Sequence, residues 1–552
     1  MLIPTAEQHD STARFKEFET IDWIEEAKNQ VAYKNSSALA ENNSFYSVAH
    51  SAFNLIQVWI VIFLVAAIIG LNTAVISIVT EWLSDIKLGY CSNHWWLNEK
   101  FCCWQNWNTF GSCPDWKEWS VATTSYNVYI LDWIMYIFFG AIQEYAPYAA
   151  GSGLPEIKTV LAGYYFDKFM NGWTLIIKSI GLAIAVSSGL SVGKEGPAVH
   201  MVKLREILSA SAAAGIAVAF GSPIGGVLFS LEDISYVFPL KTLSRSFFCA
   251  LIATTVLHVI NPFRTGKIGL CGAYLTKINI KMAKFRKKID MGKLLSYLFQ
   301  ECEDGNWANL CTNRNTMSML TSLLFATIAR FIGTALAYGC KIPCGIFVPS
   351  MAIGATFGRM LGNIVQILQA NYPNAFLFAQ CHPDTQCVTS ATYAFLGATA
   401  ALTGITRVTV AVVVIMYELT GAVNFIVPTM IVVMVAKVVA DYISPGAISE
   451  QMIFLNGLPF IELESSPLGM QVSEIMTKNP VTLPTSGMTI DEISAVDFTP
   501  IVLDINTSTE TVEEIFTRLG PKMILVEDIT GRLVGLVTRK DFIRAKLKNS
   551  SH

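Results

Sequence analysis

Charge is scarce in this chain. Only 15% of its 552 residues are Asp, Glu, Lys or Arg, 52% are hydrophobic, and the formal net charge is -3. A balance so close to neutral leaves no electrostatic footprint for nucleic acid. A soluble protein could hardly bury this much apolar surface, so a polytopic membrane protein with a smaller soluble part is the class that fits, and the lipid bilayer is its first partner. Also missing are a phosphate-binding P-loop, a metal-ligand cluster and any triad-like grouping of nucleophile and base. The chain therefore does not read as an enzyme, and no cofactor is required. Nothing at the N-terminus resembles a cleaved secretory signal.

Cysteine is not scarce, and its twelve positions divide by context. Cys91, Cys102, Cys103, Cys113, Cys302, Cys311, Cys381 and Cys387 fall in polar connections. An even set gathered in loops fits an oxidising lumen, with the pairing left open. Cys249, Cys271, Cys340 and Cys344 lie in or beside apolar segments, where a cysteine is an ordinary small hydrophobe.

Three stretches set helix-breaking residues inside apolar sequence. SVGKEGP at 191–197 puts Lys194 and Glu195 between the apolar run 175–190 and the small-residue run 210–231. Ionisable groups at membrane depth are functional candidates by default. Gly193 and Gly196 let the backbone turn and leave N–H groups open, and Pro197 is pre-organised for a helix start. The pattern predicts a helix that begins inside the membrane, its positive end facing something negative. GSGLPE at 151–156 and PCGIFVPS at 343–350 have the same pattern. Any one of these matches the glycine and proline common in membrane helices. Three of one pattern predict helix starts that converge on an anion site.

The organisation follows. Residues 1–50 are polar, and the first span is expected at 54–83, long enough to cross at a tilt. The run 128–142 is too short to cross alone. From Gly172 onward, apolar segments arrive densely and are interrupted by Gly and Pro, the pattern of inverted repeats around a central site. The Ala/Gly/Ser-rich run 210–226 and the branched run 409–439 are helix-packing surfaces, within one subunit or between two. After Pro459 the composition becomes that of a soluble domain. There, 523–526 and 533–537 read as strands joined by a turn at 530–532, and 538–541 as a helix start.

GSGLPEIK at 151–158, GKEGP at 193–197 and GIFVPS at 345–350 together resemble the three signature motifs of the CLC family of chloride channels and chloride/proton exchangers. FETIDW at 18–23, FCCW at 101–104, CPDWKEW at 113–119, GSPIGGVLFSLED at 221–233 and FPLKTLSRSFF at 238–248 place the resemblance near the Golgi and endosomal, proton-coupled eukaryotic members. It implies an all-α polytopic membrane protein with inverted repeats of tilted and broken helices, spanning 51–460 with halves at 54–262 and 269–458. It further implies a homodimer with a pathway in each subunit and parts of both packing runs at the dimer interface. The N- and C-termini would be cytoplasmic, with a C-terminal α/β CBS domain pair at 461–552. Ile475, Met476 and 480–482 resemble the opening of a first CBS module, and 497–548 a fuller second one. Set against the family, residues are missing near 143–145, after Met201, near 268–269 and 290–293, and after Val496. The chain is therefore expected to join segments that are not contiguous in the natural protein.

The resemblance also assigns residues. Ser152 is the central hydroxyl donor to the anion, and a serine there goes with chloride preference. The N–H groups of Ile346 and Phe347 face the same ion, and Gly196 helps form the next site outward. Neutral donors suit an ion that must also leave, which a full positive charge would hold too tightly. Glu195 is the gate: ionised it occupies an anion site, protonated it swings out, so one side chain gates chloride and carries a proton. Asp233 stands at the inner acidic position of proton-coupled members, one methylene shorter than the usual glutamate. Read from the residues alone, Glu232 and Asp233 are a solvated acidic pair at a helix end. Ser449 falls where the family usually closes the inner side with a tyrosine hydroxyl, and it keeps the O–H without filling the space. Glu418 is expected to be a structural hydrogen-bonding group.

CBS modules often bind adenine nucleotides. The resemblance puts Asp541 on a ribose with Thr538 nearby, while the residues alone read Asp541 equally as a helix cap. The reading is a chloride/proton antiporter of a Golgi, endosomal or vacuolar-type membrane, with chloride and protons as substrates and ATP, ADP or AMP as a CBS ligand. The alternatives are a passive voltage-gated chloride channel of the same fold and a non-transporting, nucleotide-responsive membrane regulator.

Overall fold

A computed structural model describes residues 19–24, 28, 45–92, 94, 96–97, 102, 115–118, 149–165, 169, 172–187, 205–235, 240–260, 291–300, 316–339, 343–372, 378, 388–421, 423–444, 446–461, 469–478, 480 and 500–550. Strand β1 (Glu19–Thr20) precedes the long helix α1 (Phe45–Leu88), followed by β2 (Gly89–Cys91) and β3 (Trp116–Glu118). Next come α2 (Leu154–Leu161), β4 (Tyr164–Tyr165), α3 (Gly172–Ser187), α4 (Arg205–Phe220) and α5 (Pro223–Phe229), which runs into a π-helical turn at Ser230–Ile234. Then follow α6 (Leu240–Val259), α7 (Met291–Leu298), α8 (Thr316–Gly339), α9 (Phe347–Asn371), α10 (Ser390–Thr406), α11 (Val410–Thr420), α12 (Ile426–Ile443) and α13 (Ile448–Leu455). The C-terminal domain holds α14 (Val472–Ile475), β5 (Thr477–Lys478), β6 (Val502–Asp504), α15 (Thr509–Arg518), β7 (Met523–Glu527), β8 (Leu533–Thr538) and α16 (Arg539–Ser550).

Five helices among the described residues are long and apolar enough to cross a membrane: those within 56–86, 241–259, 319–338 and 347–371, and α12 at 426–443. On α8 and α12 the large apolar side chains face outward, Phe325, Phe331 and Leu336 on the first and Met430, Ile431 and Val438 on the second. That is the distribution of helices solvated by lipid or covered by another subunit. Helix α1 is longer at both ends than the expected 54–83, because its hydrogen bonds continue through the more polar flanks until β2 begins at Gly89.

The first body packs α1, α3, α4 and α6 together, and the second packs α8, α9, α10 and α12. The small-residue run forms α4, and Ala210, Ala212, Ala213, Ala214 and Ala217 are fully buried inside this chain. So the α4 part of that run is used within the subunit, while Ile224 of α5, in the same run, stays exposed. In the second body, α9 meets α10 through Gly354, Gly358 and Gly362, one turn apart. A Cβ at Gly358 would collide with the Tyr393 carbonyl oxygen, and one at Gly354 with that of Gly397. Small residues at i, i+4 and i+8 let two membrane helices touch backbone to backbone.

Two of the three expected broken-helix starts lie in described sequence, and both are buried. Helix α2 begins after Gly153, whose φ of 81° supplies the left-handed turn, with Pro155 in its first turn. It ends at the Gly163 turn, φ 101°, after eight residues, about 12 Å of helix and too short to span. Helix α9 begins at Phe347, and the whole of 343–350 is buried. The third stretch, 191–197, lies outside the described residues.

In the C-terminal domain the strands form one sheet of order β5-β8-β7-β6, with β6 and β7 parallel and the other pairs antiparallel. The strand that follows Ile475 and Met476 thus joins the same sheet as the strands of the fuller module. Val512, Phe516, Ile524, Val526, Val537 and Phe542 form its buried core. An N-terminal strap ties this domain to the membrane body. β1 pairs with β4 beyond α2, the Ile21 N–H donates to Gly163 O at 2.9 Å, and the Trp23 N–H donates to Gly520 O at 3.2 Å.

Candidate functional site

Helix α2 positions the site. Ser152, just ahead of it, is buried, and its Oγ accepts the Leu154 N–H at 3.3 Å. Tyr338, at the end of α8, lies beside the Ser152 side chain. Glu156, in the first turn of α2, faces the fully buried Lys178 of α3 as its electrostatic counterpart. Farther along α2, Lys158 is also buried, and it reaches three side chains. Its Nζ lies 2.7 Å from Asp233 Oδ1, donates to Ser449 Oγ at 3.0 Å, and stands 3.8 Å from Glu450 Oε1.

Asp233 reaches Lys158 from the π-helical turn at Ser230–Ile234. The π-helical turn after α5 holds one more residue per turn than its neighbours, a feature frequent at functional sites. Ser230 Oγ donates to Ser209 O at 3.1 Å, which fixes the turn on α4. The adjacent Glu232 points away and binds the start of α11: its carboxylate accepts Thr409 N–H at 2.7 Å, Thr409 Oγ1 at 2.6 Å and Ala411 N–H at 3.0 Å. Glu418, near the end of α11, returns the same service to α5. It accepts from Ser222 Oγ, from Ile224 N–H at 3.3 Å and from Gly225 N–H at 2.9 Å. Each helix has its orphan amides satisfied by a glutamate from the end of the other. Glu418 thus has the hydrogen-bonding role expected of it. Glu232 and Asp233, read as a solvated pair from the residues alone, divide between a cap and a buried ion pair.

Ile346 and Phe347 open α9, where first-turn amides have no acceptor within the helix. The Phe347 ring packs on Phe229 at 5.4 Å and Phe220 at 6.1 Å, which seals the helix start with aromatic side chains from the first body. The structure therefore joins Asp233 and Ser449 through one ammonium. It places Ser152 at the head of the helix that carries that ammonium, and it keeps Ile346 and Phe347 in the same hydrophobic core as Leu154. Glu195 and Gly196 lie outside the described residues. Lys158, Lys178 and Tyr338 are absent from the sequence-derived set. An ionisable residue in apolar sequence was the available signal for the two lysines.

The arrangement sets a buried hydroxyl, that of Ser449, and a buried carboxylate, that of Asp233, on one buried cation. Among the described residues no group of His, Cys, Asp and Glu is arranged to hold a metal ion.

Thr538 and Asp541 lie together at the start of α16. Asp541 Oδ2 accepts from Thr538 Oγ1 at 2.6 Å and from Thr538 N–H at 3.2 Å, and Asp541 N–H donates to Thr538 Oγ at 3.3 Å. This is a reciprocal helix cap. Between them Arg539 turns the other way, buried against the membrane body. It donates to Ala162 O at 3.1 Å and lies 5.8 Å from the Tyr164 ring centre. Burial lowers the Arg539 pKa and raises that of the Tyr164 phenol. At the far end of α1, Cys91 and Cys102 form a disulfide beside the β2–β3 hairpin, while Cys249 and Cys344 are free and buried.

The family model described as voltage gated chloride channel matches residues 133–268 and 265–441, and the CBS domain model matches 472–548. The chain is 36% identical, over 714 aligned positions, to a probable chloride channel protein of Mycosarcoma maydis, covering 88% of this chain and 63% of that protein. It is 32% identical over 720 positions to the H(+)/Cl(-) exchange transporter 3 of Homo sapiens, covering 96% of this chain and 88% of the human protein. Both alignments run longer than the 552 residues here, so the relatives carry residues with no counterpart in this chain. The crystal structure of a eukaryotic CLC transporter shares the fold, with a TM-score of 0.63 at 22% identity over 88% of this chain and 98% of that one.

Proposed function

The chain belongs to the voltage gated chloride channel family, and from that premise we propose that it exchanges chloride for protons across an intracellular membrane. The observation that carries this reading is the buried carboxylate of Asp233, paired with a lysine that also holds a hydroxyl of the anion pathway. A passive pore needs no buried acid at that place. Ser152, Ser449 and the amides of Gly196, Ile346 and Phe347 bind chloride, Glu195 gates it and carries the proton, and Asp233 takes up protons from the cytoplasm.

The division into a segment at 1–50, a membrane domain at 51–460 with halves 54–262 and 269–458, and a cytoplasmic CBS region at 461–552 belongs to the same reading. The strap bound to Gly520 supports reading the N-terminal segment on the same side as the CBS region, with both termini cytoplasmic. The Cys91–Cys102 disulfide, one crossing of α1 away, then faces an oxidising lumen such as that of the Golgi or an endosome. The apolar side chains exposed on α5, α11 and α12, among them Ile224, Val410 and Met434, suit a homodimer interface. Thr538 and Asp541 offer a CBS site for ATP, ADP or AMP, and transport rather than nucleotide binding is the primary activity.

Chloride and proton fluxes recorded together in liposomes test the reading. A chloride gradient should drive protons uphill in the wild type, and Glu195→Ala should abolish proton movement while chloride still flows. Chloride movement without protons in the wild type would make the protein a channel.

A further inference from the structure

Lys158 contacts two residues at which this chain departs from its family resemblance, the short acid Asp233 and the small hydroxyl Ser449. The ammonium is 2% exposed and the Asp233 side chain 7%, so both ends of this pair are held away from bulk water and their charges are weakly screened. Ser449 is buried as well. Because its Oγ accepts a hydrogen bond from Lys158, its own proton is left to point elsewhere, and a hydroxyl polarised by an ammonium is a stronger donor to an anion.

The charged groups around Asp233 are few. Lys158 comes from α2. Glu450 comes from α13, 3.8 Å from the ammonium with its side chain one-third exposed. Glu232, the neighbour in the π-helical turn, is committed to the amides of α11. Asp233 is therefore the main compensation for the Lys158 charge.

We propose that Lys158 is a positioning residue through which the charge on Asp233 sets the strength of chloride binding at the Ser449 hydroxyl. With Asp233 ionised, the ammonium is neutralised and the inner anion site is held by neutral donors alone. With Asp233 protonated, the same ammonium presents an uncompensated charge behind the Ser449 hydroxyl and chloride binds more tightly. One lysine thus links proton occupancy to anion affinity without moving a helix. The two departures compensate each other. A shorter acid still reaches the lysine from a π-helical turn, and a serine is small enough for the lysine to stand behind it. The proposal rests on the anion pathway described above.

Chloride affinity of the detergent-purified full chain, titrated calorimetrically with potassium chloride, tests it through a double-mutant cycle. Asp233→Asn should bind chloride about tenfold more tightly than the wild type, within the usual range for coupled sites. In a Lys158→Met background, Asp233→Asn should change affinity by less than about twofold. Equal tightening in both backgrounds, or none in the wild-type background, would overturn the proposal. Lys158→Met alone leaves a buried carboxylate unpaired and can fail to fold. The double variant removes both charges, and its affinity should then be about tenfold weaker than that of Asp233→Asn, with equal values counting against the link. A wild-type protein that binds no chloride would remove the anion pathway itself and the proposal with it, an outcome distinct from chloride binding that ignores Asp233.

Discussion

A lysine survives in a membrane interior only where its charge is answered, and Lys158 is answered by Asp233 at 2.7 Å. Removing one partner of such a pair costs about 3–5 kcal/mol, because the other is left buried and alone. Lys158→Ala should therefore lower the melting temperature of the purified protein sharply, and Lys158→Ala with Asp233→Asn should recover most of the loss. An unchanged melting temperature in the single variant would show that water reaches the pair. For transport, Asp233→Asn should keep chloride flux and lose most of the accompanying proton flux. The motifs made Ser152 and Asp233 readable as candidates, and the resemblance added Ser449. Lys158 was not legible, although it ends one of those motifs, because its hydroxyl partner lies 291 residues away. Nothing in linear sequence says which buried charges will meet.

The same limit holds for elements. The proline- and glycine-marked starts of α2 and α9 were readable from composition, because helix starts are local chemistry. The hydrogen-bonding role of Glu418 was readable too, but the partners of the crossed glutamate caps were not, because each cap joins one half of the chain to the other. Glu418→Ala should leave the Ile224 and Gly225 amides unpaired and cost about 1–3 kcal/mol, read as a lower thermal midpoint, whereas Glu418→Gln should retain part of the cap. The glycine row on α9 is silent in sequence for a different reason: Gly354, Gly358 and Gly362 mean close packing only once α10 is known to lie against them. Gly358→Leu should force the two helices apart and eliminate the monodisperse peak in size-exclusion chromatography. A folded, fully active Gly358→Leu would refute the backbone contact with Tyr393.

At the scale of the molecule, the membrane body and the CBS region meet at Arg539, whose guanidinium is buried against Ala162 and Tyr164 just beyond the end of α2. The composition shift after Pro459 announced a soluble domain, and its strands and turn fell where the sequence put them. The strap and Arg539 carried no such signal, since a short polar segment and one arginine look the same whether free or docked. Arg539→Ala should loosen the joint, so that limited proteolysis releases the C-terminal domain faster while the Thr538–Asp541 cap stays intact. No change in the cleavage rate would mean that the strap alone holds the domains together. The central claim is that this assembly moves protons against chloride, and wild-type protein in liposomes under an imposed chloride gradient tests it most directly. The account predicts uphill proton movement whose direction reverses when the gradient is reversed. Chloride flux with no proton movement in either direction would contradict it.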